Sequence, residues 1–260
     1  MNALLKQLLI VCPLVFLAGF VDSVAGGGGL ISLPAYLMAG LPVHLAAGTN
    51  KLVAGTGTLA ASITYFKSGK VRLRPALTAG IFAMLGSALG TELAALVSER
   101  CLHTLLLVAL PCVALFLTLR KDFGKAPPAS VERSVKRELL ISAAIGLLLG
   151  CYDGIIGPGT GTFMLMCFTA FLSMDMLSGS GCAKLANLAS NIAAATVWIL
   201  NGKILWALVL PAALSSILGN RLGAKFALRG GSSRVRSMVF VVLALLFCKM
   251  AYELIRSRLG

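Results

Sequence analysis

Two stretches of this chain combine an acidic residue with more glycine than a continuous helix tolerates. They are Asp22-Ser23-Val24-Ala25-Gly26-Gly27-Gly28-Gly29, followed by Pro34, and Asp153-Gly154-Ile155-Ile156-Gly157-Pro158-Gly159-Thr160-Gly161-Thr162. Each glycine costs a helix roughly 1 kcal/mol relative to alanine, so both stretches are expected to unwind. A helix restarting near Gly28 or Thr160 presents unbonded backbone N–H groups and the positive end of its dipole, which suits an anion. Gly26, Gly27, Gly28, Gly29, Gly157 and Gly159 are therefore candidate substrate-binding positions, and Thr160 and Thr162 candidate hydroxyl donors. Close helix packing at small residues explains scattered glycines. It explains four in a row, or Gly-Pro-Gly, poorly.

A second pair of signatures follows each break: Gly48-Thr49-Asn50-Lys51, and Gly181-Cys182-Ala183-Lys184-Leu185-Ala186-Asn187. A lysine in an apolar segment costs about 2.5–3.5 kcal/mol to insert, so it either serves function or snorkels to the surface. Lys51 and Lys184 lie a turn or two from their helix starts, which leaves both readings open. Asn50, Asn187 and Asn191 are either ligands or hydrogen-bonding links between helices. Lys184, Asn187 and Asn191 share one helix face, as a polar lining requires. Asp22 and Asp153 either carry a coupling ion, proton or sodium, or cap the following helix. Glu92 and Lys225 sit near segment ends and read as interfacial.

The elements that hold these groups are apolar. Hydrophobic residues make up 58% of the 260 and charged residues 12%, against about 25% charged in soluble domains. Lipid is the solvent that suits such a chain. Apolar segments run roughly over 4–22, 29–41, 45–66, 75–97, 101–120, 138–152, 160–176, 181–201, 204–222 and 237–257. At about 20 residues per span, this is an all-α integral membrane protein with about 8–10 transmembrane segments. The segment 29–41 is short and either spans fully or is re-entrant.

The two halves are copies. Gly19, Asp22, Gly26 and Gly28 recur 131 positions later as Gly150, Asp153, Gly157 and Gly159. At an offset of 133, Gly48, Lys51, Leu52, Gly69, Lys70, Gly86 and Gly90 recur as Gly181, Lys184, Leu185, Gly202, Lys203, Gly219 and Gly223. Residues 1–121 form the first repeat, 122–137 a cytoplasmic linker and 138–260 the second repeat. Four cations lie at Lys67–Arg74, where the second half has only Lys203. Three more, Arg229, Arg234 and Arg236, lie where the first half has one. Basic loops face the cytoplasm, so corresponding loops lie on opposite sides and the repeats are inverted, with both termini outside.

The net charge of +14 is distributed between apolar segments; it marks membrane sidedness and excludes nucleic acid as partner. The seven cysteines form no CxxC pair and read as free buried thiols, and two histidines do not make a metal site. The apolar N-terminus leads into further apolar sequence with no cleavage site and reads as a retained first helix. No Walker A, HExxH or GxSxG sequence is present, and the chain is expected to be neither an enzyme nor dependent on a cofactor.

The paired signatures resemble the sulfite exporter TauE/SafE family of membrane permeases. The likeness rests on Gly19 through Pro34 with Gly48-Thr49-Asn50-Lys51, and on Gly150 through Gly161 with Lys184-Leu185-Ala186-Asn187. It implies a multi-pass transporter of the inner membrane, ion-coupled, for a sulfur-containing oxyanion, an organosulfonate or a carboxylate. A passive anion channel is the alternative. Cys182-Ala183 stands where the first half has Thr49-Asn50, so the half-sites are not equivalent.

Overall fold

A computed structural model describes residues 3–98, 101, 134–155 and 157–259 of the protein. The expected segment 101–120, apart from Cys101, and most of the 122–137 linker lie outside the described residues. The described residues form helices α1 (Ala3–Ala25), α2 (Gly29–Met38), α3 (Val43–Lys67), α4 (Leu73–Leu96), α5 (Val135–Ile155), α6 (Thr160–Leu172), α7 (Met176–Leu200) and α8 (Trp206–Leu259). α8 kinks at Gly231, whose φ is 64°. The fold is all-α.

Helices α1, α4, α5, α7 and the Trp206–Val235 part of α8 are long and apolar enough to cross a membrane. α3 has the length, at 25 residues, but it buries Thr49, Asn50, Lys51, Thr58 and Ser62, and these lower its hydropathy. α2 has 10 residues and α6 has 13. At 1.5 Å per residue neither crosses a hydrocarbon core of about 30 Å. α2 folds back along α1, since Gln7 Nε2 donates to the Ala39 carbonyl at 3.3 Å. The segment 29–41 is therefore re-entrant.

Small residues set how the long helices run. A Cβ on Gly146, Gly150 or Gly154 of α5 would meet the carbonyl oxygens of Ala79, Ala83 and Ser87 of α4 in turn, so these helices are parallel and in backbone contact. Gly219 and Gly223 of α8 meet the Phe16 and Phe20 carbonyls of α1 in the same way. α3 and α7 run antiparallel: Gly48 abuts Lys203, Gly55 faces Asn191, and Gly181 abuts Lys70. Each half thus lays its first helix on the other half's fourth, and the counterparts α3 and α7 face each other in opposite directions. Close approach at small residues is the usual packing device within a bilayer.

α3 and α7 also end alike. Lys70 N bonds Tyr65 O and Gly69 N bonds Phe66 O; Lys203 N bonds Trp198 O and Gly202 N bonds Ile199 O. These are paired C-terminal caps satisfying the last carbonyls. Their starts differ: Asp175 caps α7 by accepting from Leu177 N and Ser178 N, while Pro42 precedes α3 with no side-chain cap.

Tyr65 Oη donates to the Ser23 carbonyl, which places the end of α3 beside the end of α1. Arg72 Nη2 pairs with Glu138 Oε1 at 2.7 Å, which brings the start of α5 to that same end of the molecule. Lys67, Lys70, Arg74, Lys136 and Arg137 cluster there, whereas Lys6 and Lys203 lie at the opposite end.

Candidate functional site

The two breaks meet. α1 stops at Ala25 and α2 starts at Gly29, while α5 stops at Ile155 and α6 starts at Thr160. Gly26 and Gly157 take φ of 84° and 85°, a left-handed backbone open mainly to glycine. Thr162 N donates to the Gly26 carbonyl at 3.2 Å and Thr162 Oγ1 to the Ala25 carbonyl at 2.8 Å. A Cβ on Gly26 would collide with the Gly161–Thr162 backbone. The absence of side chains brings the two unwound segments into backbone contact.

Around this crossing four charged side chains pair between halves. Lys51 Nζ of the first half lies 2.7 Å from Asp153 Oδ1 of the second. Lys184 Nζ of the second lies 2.7 Å from Asp22 Oδ2 of the first. The lysine side chains are 9% and 2% exposed, so neither ammonium snorkels to the surface. Asp22 Oδ1 also accepts from Gly28 N at 3.2 Å, at the start of α2. Asp153 instead takes a short hydrogen bond from Ser190 Oγ.

A cavity of about 60 Å³ opens between the breaks and α1, α3, α7 and α8. Asp22, Asn50, Lys51, Asp153, Asn187 and Asn191 line it, with backbone from Gly26, Gly28, Gly29, Gly157, Gly159 and Gly161. The N–H groups of Gly29 and Gly161 have no acceptor among the described residues. Gly29, Gly161 and Lys51, contributed by both halves, all line this cavity.

Comparison with known proteins gives this geometry a name. Residues 11–250 match the family described as sulfite exporter TauE/SafE. The chain belongs to that family. A probable membrane transporter protein of Haemophilus influenzae is 35% identical over 238 residues, covering 92% of each chain. The probable membrane transporter protein YfcA of Escherichia coli K12 is 31% identical over 237 residues, covering 91% of this chain and 87% of the relative. YdhB of Bacillus subtilis, of the same description, is 23% identical over 238 residues, covering 92% and 96%. No solved structure matches. TauE/SafE proteins are membrane transporters, and this chain is a multi-pass transporter of that type rather than an enzyme.

Within this TauE/SafE chain the expected site residues divide. Gly27, Thr160, Thr162 and Lys184 do not reach the cavity wall. The two threonines were expected to offer hydroxyls to a ligand. Thr160 Oγ1 donates instead to the Gly157 carbonyl at 2.7 Å, and Thr162 Oγ1 to Ala25. A broken helix leaves carbonyls without partners in a medium that offers no water, and the threonines supply them. Asn191 Nδ2 donates to Asn187 Oδ1 at 3.2 Å, which fixes one amide against the other on the shared face of α7.

Ser32, Trp198, Ser216 and Asn220 also line the cavity and were not anticipated. Asn220 Nδ2 donates to the Ser216 carbonyl at 3.0 Å. The signal was present in the repeat: Asn220 stands at the counterpart of Ser87, in Leu-Gly-Asn against Leu-Gly-Ser. Ser87 Oγ in turn donates to the Ser190 carbonyl at 2.9 Å, tying α4 to α7.

Proposed function

We propose that this protein is a secondary transporter that carries a small anion across the bacterial inner membrane, coupled to a proton or sodium ion. The observation that carries this reading is the convergence of two helix restarts and Lys51 on one cavity between the repeats. Discontinuous helices at a repeat interface are the recurring ground plan of substrate sites in such transporters. The cavity volume of about 60 Å³ has room for roughly four or five water-sized groups. That suits a small sulfur oxyanion such as sulfite, or a short sulfonate or carboxylate.

Charge balance supports coupling. Two lysines and two aspartates sum to zero around the cavity, so an anion entering alone leaves a net negative charge in a low dielectric. A cation accompanying it removes that cost. The crowding of Lys67, Lys70, Arg74, Lys136 and Arg137 at one end supports a cytoplasmic orientation for that end. Reporter fusions at Lys70 and Lys203 are expected to report opposite sides of the membrane.

The direct test is thermal stabilisation of the purified protein by sulfite, thiosulfate, sulfoacetate, taurine and simple carboxylates. A ligand of the folded state adds about 2.7 kcal/mol at one hundred times its Kd. A selective shift, lost in Lys51→Gln with the fold intact, supports the anion site. A flat response across the panel removes the anion reading. Flux into vesicles that saturates and follows an ion gradient supports the transporter; ohmic current without coupling would make the protein a channel.

A further inference from the structure

We propose that Asp22, and not its repeat counterpart Asp153, takes up the coupling proton, and that doing so releases Lys184 as an uncompensated positive charge beside the cavity. This assignment rests on the anion-transport reading and adds the coupling ion and its site.

The argument is one of access and commitment. Both aspartates are ion-paired across the repeat interface at 2.7 Å. Asp153 is 3% exposed, and its two oxygens are taken by the Lys51 ammonium and the Ser190 hydroxyl. Almost no surface is left there for a proton to arrive at. Asp22 is 17% exposed and lines the cavity. Its partners are Lys184 and a single backbone N–H, Gly28 at 3.2 Å. Both carboxylates line the cavity, and Asp22 is the more exposed of the two.

The surroundings of Asp22 leave it as the group that changes charge. α7 brings Lys184, and α3 brings Lys51 and Tyr65, whose hydroxyl donates to the Ser23 carbonyl. α5 brings Asp153 across the cavity. The residues that α2, α6 and α8 contribute to the wall, Gly28, Gly29, Ser32, Leu33, Gly161, Ser216 and Asn220, carry no titratable group.

The step balances simply. The Asp22 carboxylate gains one proton and becomes a neutral acid, and its ion pair with Lys184 is lost. The four charges then sum to plus one, which a bound monoanion returns to zero. Proton and anion therefore favour each other's binding, and by linkage each raises the other's affinity by the same factor. The loaded site is electroneutral. The empty, deprotonated site is electroneutral too, with both ion pairs closed.

The experiment uses Trp198, which lines the same cavity, in a Trp206→Phe background so that its fluorescence alone is read. With no ligand present, the protein is titrated from neutral pH into acid. The expected result is a single-proton step that Asp22→Asn abolishes and Asp153→Asn retains. A step that survives Asp22→Asn, or no step in the parent, overturns the proposal. Where Asp22→Asn leaves Lys184 unpaired and the protein does not fold, Asp22→Asn/Lys184→Met removes both charges and answers the same question.

A second arm measures binding of methanesulfonate, a monoanion whose own charge is fixed over this range. Its affinity is expected to rise by up to about tenfold per pH unit on acidification, and to lose that slope in Asp22→Asn. A pH-independent affinity in the parent overturns proton coupling at Asp22. Absence of anion binding at every pH, with the fluorescence step intact, sinks the anion reading and leaves the proton site standing.

Discussion

The two half-sites correspond in sequence yet differ at the atom that matters. In the second half, Ser190 reaches Asp153 and closes it off with a hydroxyl. Its counterpart in the first half, at the offset of 133, is Gly57. Gly57 has no group to offer Asp22, and the space a side chain would take is filled by Ser216 and Asn220 from α8. Both carboxylates line the cavity, but Asp153 is 3% exposed and Asp22 17%. Corresponding positions can divide labour by single residue differences in this way, with one pair fixing the halves together and the other free to respond.

The sharpest way to break the arrangement is to move the breaks apart. Gly26→Ala places a Cβ inside the Gly161–Thr162 backbone and adds a side chain at a φ of 84°. Backbone cannot yield as a flexible side chain does, so a loss on the order of 3 kcal/mol or more is expected. Size-exclusion chromatography and melting should show little folded protein. Gly55→Ala, whose Cβ would sit 3.7 Å from the Asn191 Cβ, makes ordinary contact and should fold normally. Equal behaviour of the two variants would mean that the crossing of the breaks does not hold the halves together.

That crossing was partly legible in advance. Runs of glycine next to an aspartate located both breaks to within a residue or two, because the helical cost of glycine is local and additive. The repeat located the lysines. What sequence could not supply was the pairing across halves. Asp22 lies 29 positions from Lys51 and 162 from Lys184, and nothing local says that the distant lysine is its partner. Nor does sequence show that the threonine hydroxyls meet the nearer demand of broken-helix carbonyls before that of a ligand. Asn220 is not legible as a lining residue, because one polar residue in an apolar helix does not by itself indicate which way it faces.

The two ion pairs should also differ energetically. Asp153→Ala strands the Lys51 ammonium, itself 9% exposed, and removes the acceptor for Ser190. Breaking one partner of a buried pair costs about 3–5 kcal/mol. Asp153→Ala/Lys51→Met should recover most of that loss, since no charge is left unpaired. Asp22→Ala should cost less, because Asp22 is the more exposed carboxylate, at 17% against 3%, and its loss leaves no buried serine hydroxyl without its acceptor. A double-mutant cycle on each pair, read by thermal melting, checks the order. A larger coupling for Asp22–Lys184 than for Asp153–Lys51 would reverse the division of labour.

The smallest difference between the halves lies at the starts of α3 and α7, where Pro42 stands opposite Asp175. Half-burial acts to raise the Asp175 carboxyl pKa, but hydrogen bonds from the Ser178 hydroxyl, the Ser178 and Leu177 N–H groups and the Ser232 hydroxyl outweigh it. The folded-state pKa therefore lies below its ordinary value. A carboxylate held down in this way stabilises the fold above its unfolded pKa and loses that contribution as pH falls through the folded value. Asp175→Ala should cost about 1 kcal/mol at neutral pH, the usual worth of an N-cap, with the cost fading in strong acid. Ser232 lies just past the kink at Gly231, so the same carboxylate also ties α8 beyond its bend to the start of α7. Melting curves of Ser232→Ala and Asp175→Ala separate the two contributions. A Ser232→Ala loss equal to that of Asp175→Ala would place the carboxylate's main effect at the kink rather than at the cap.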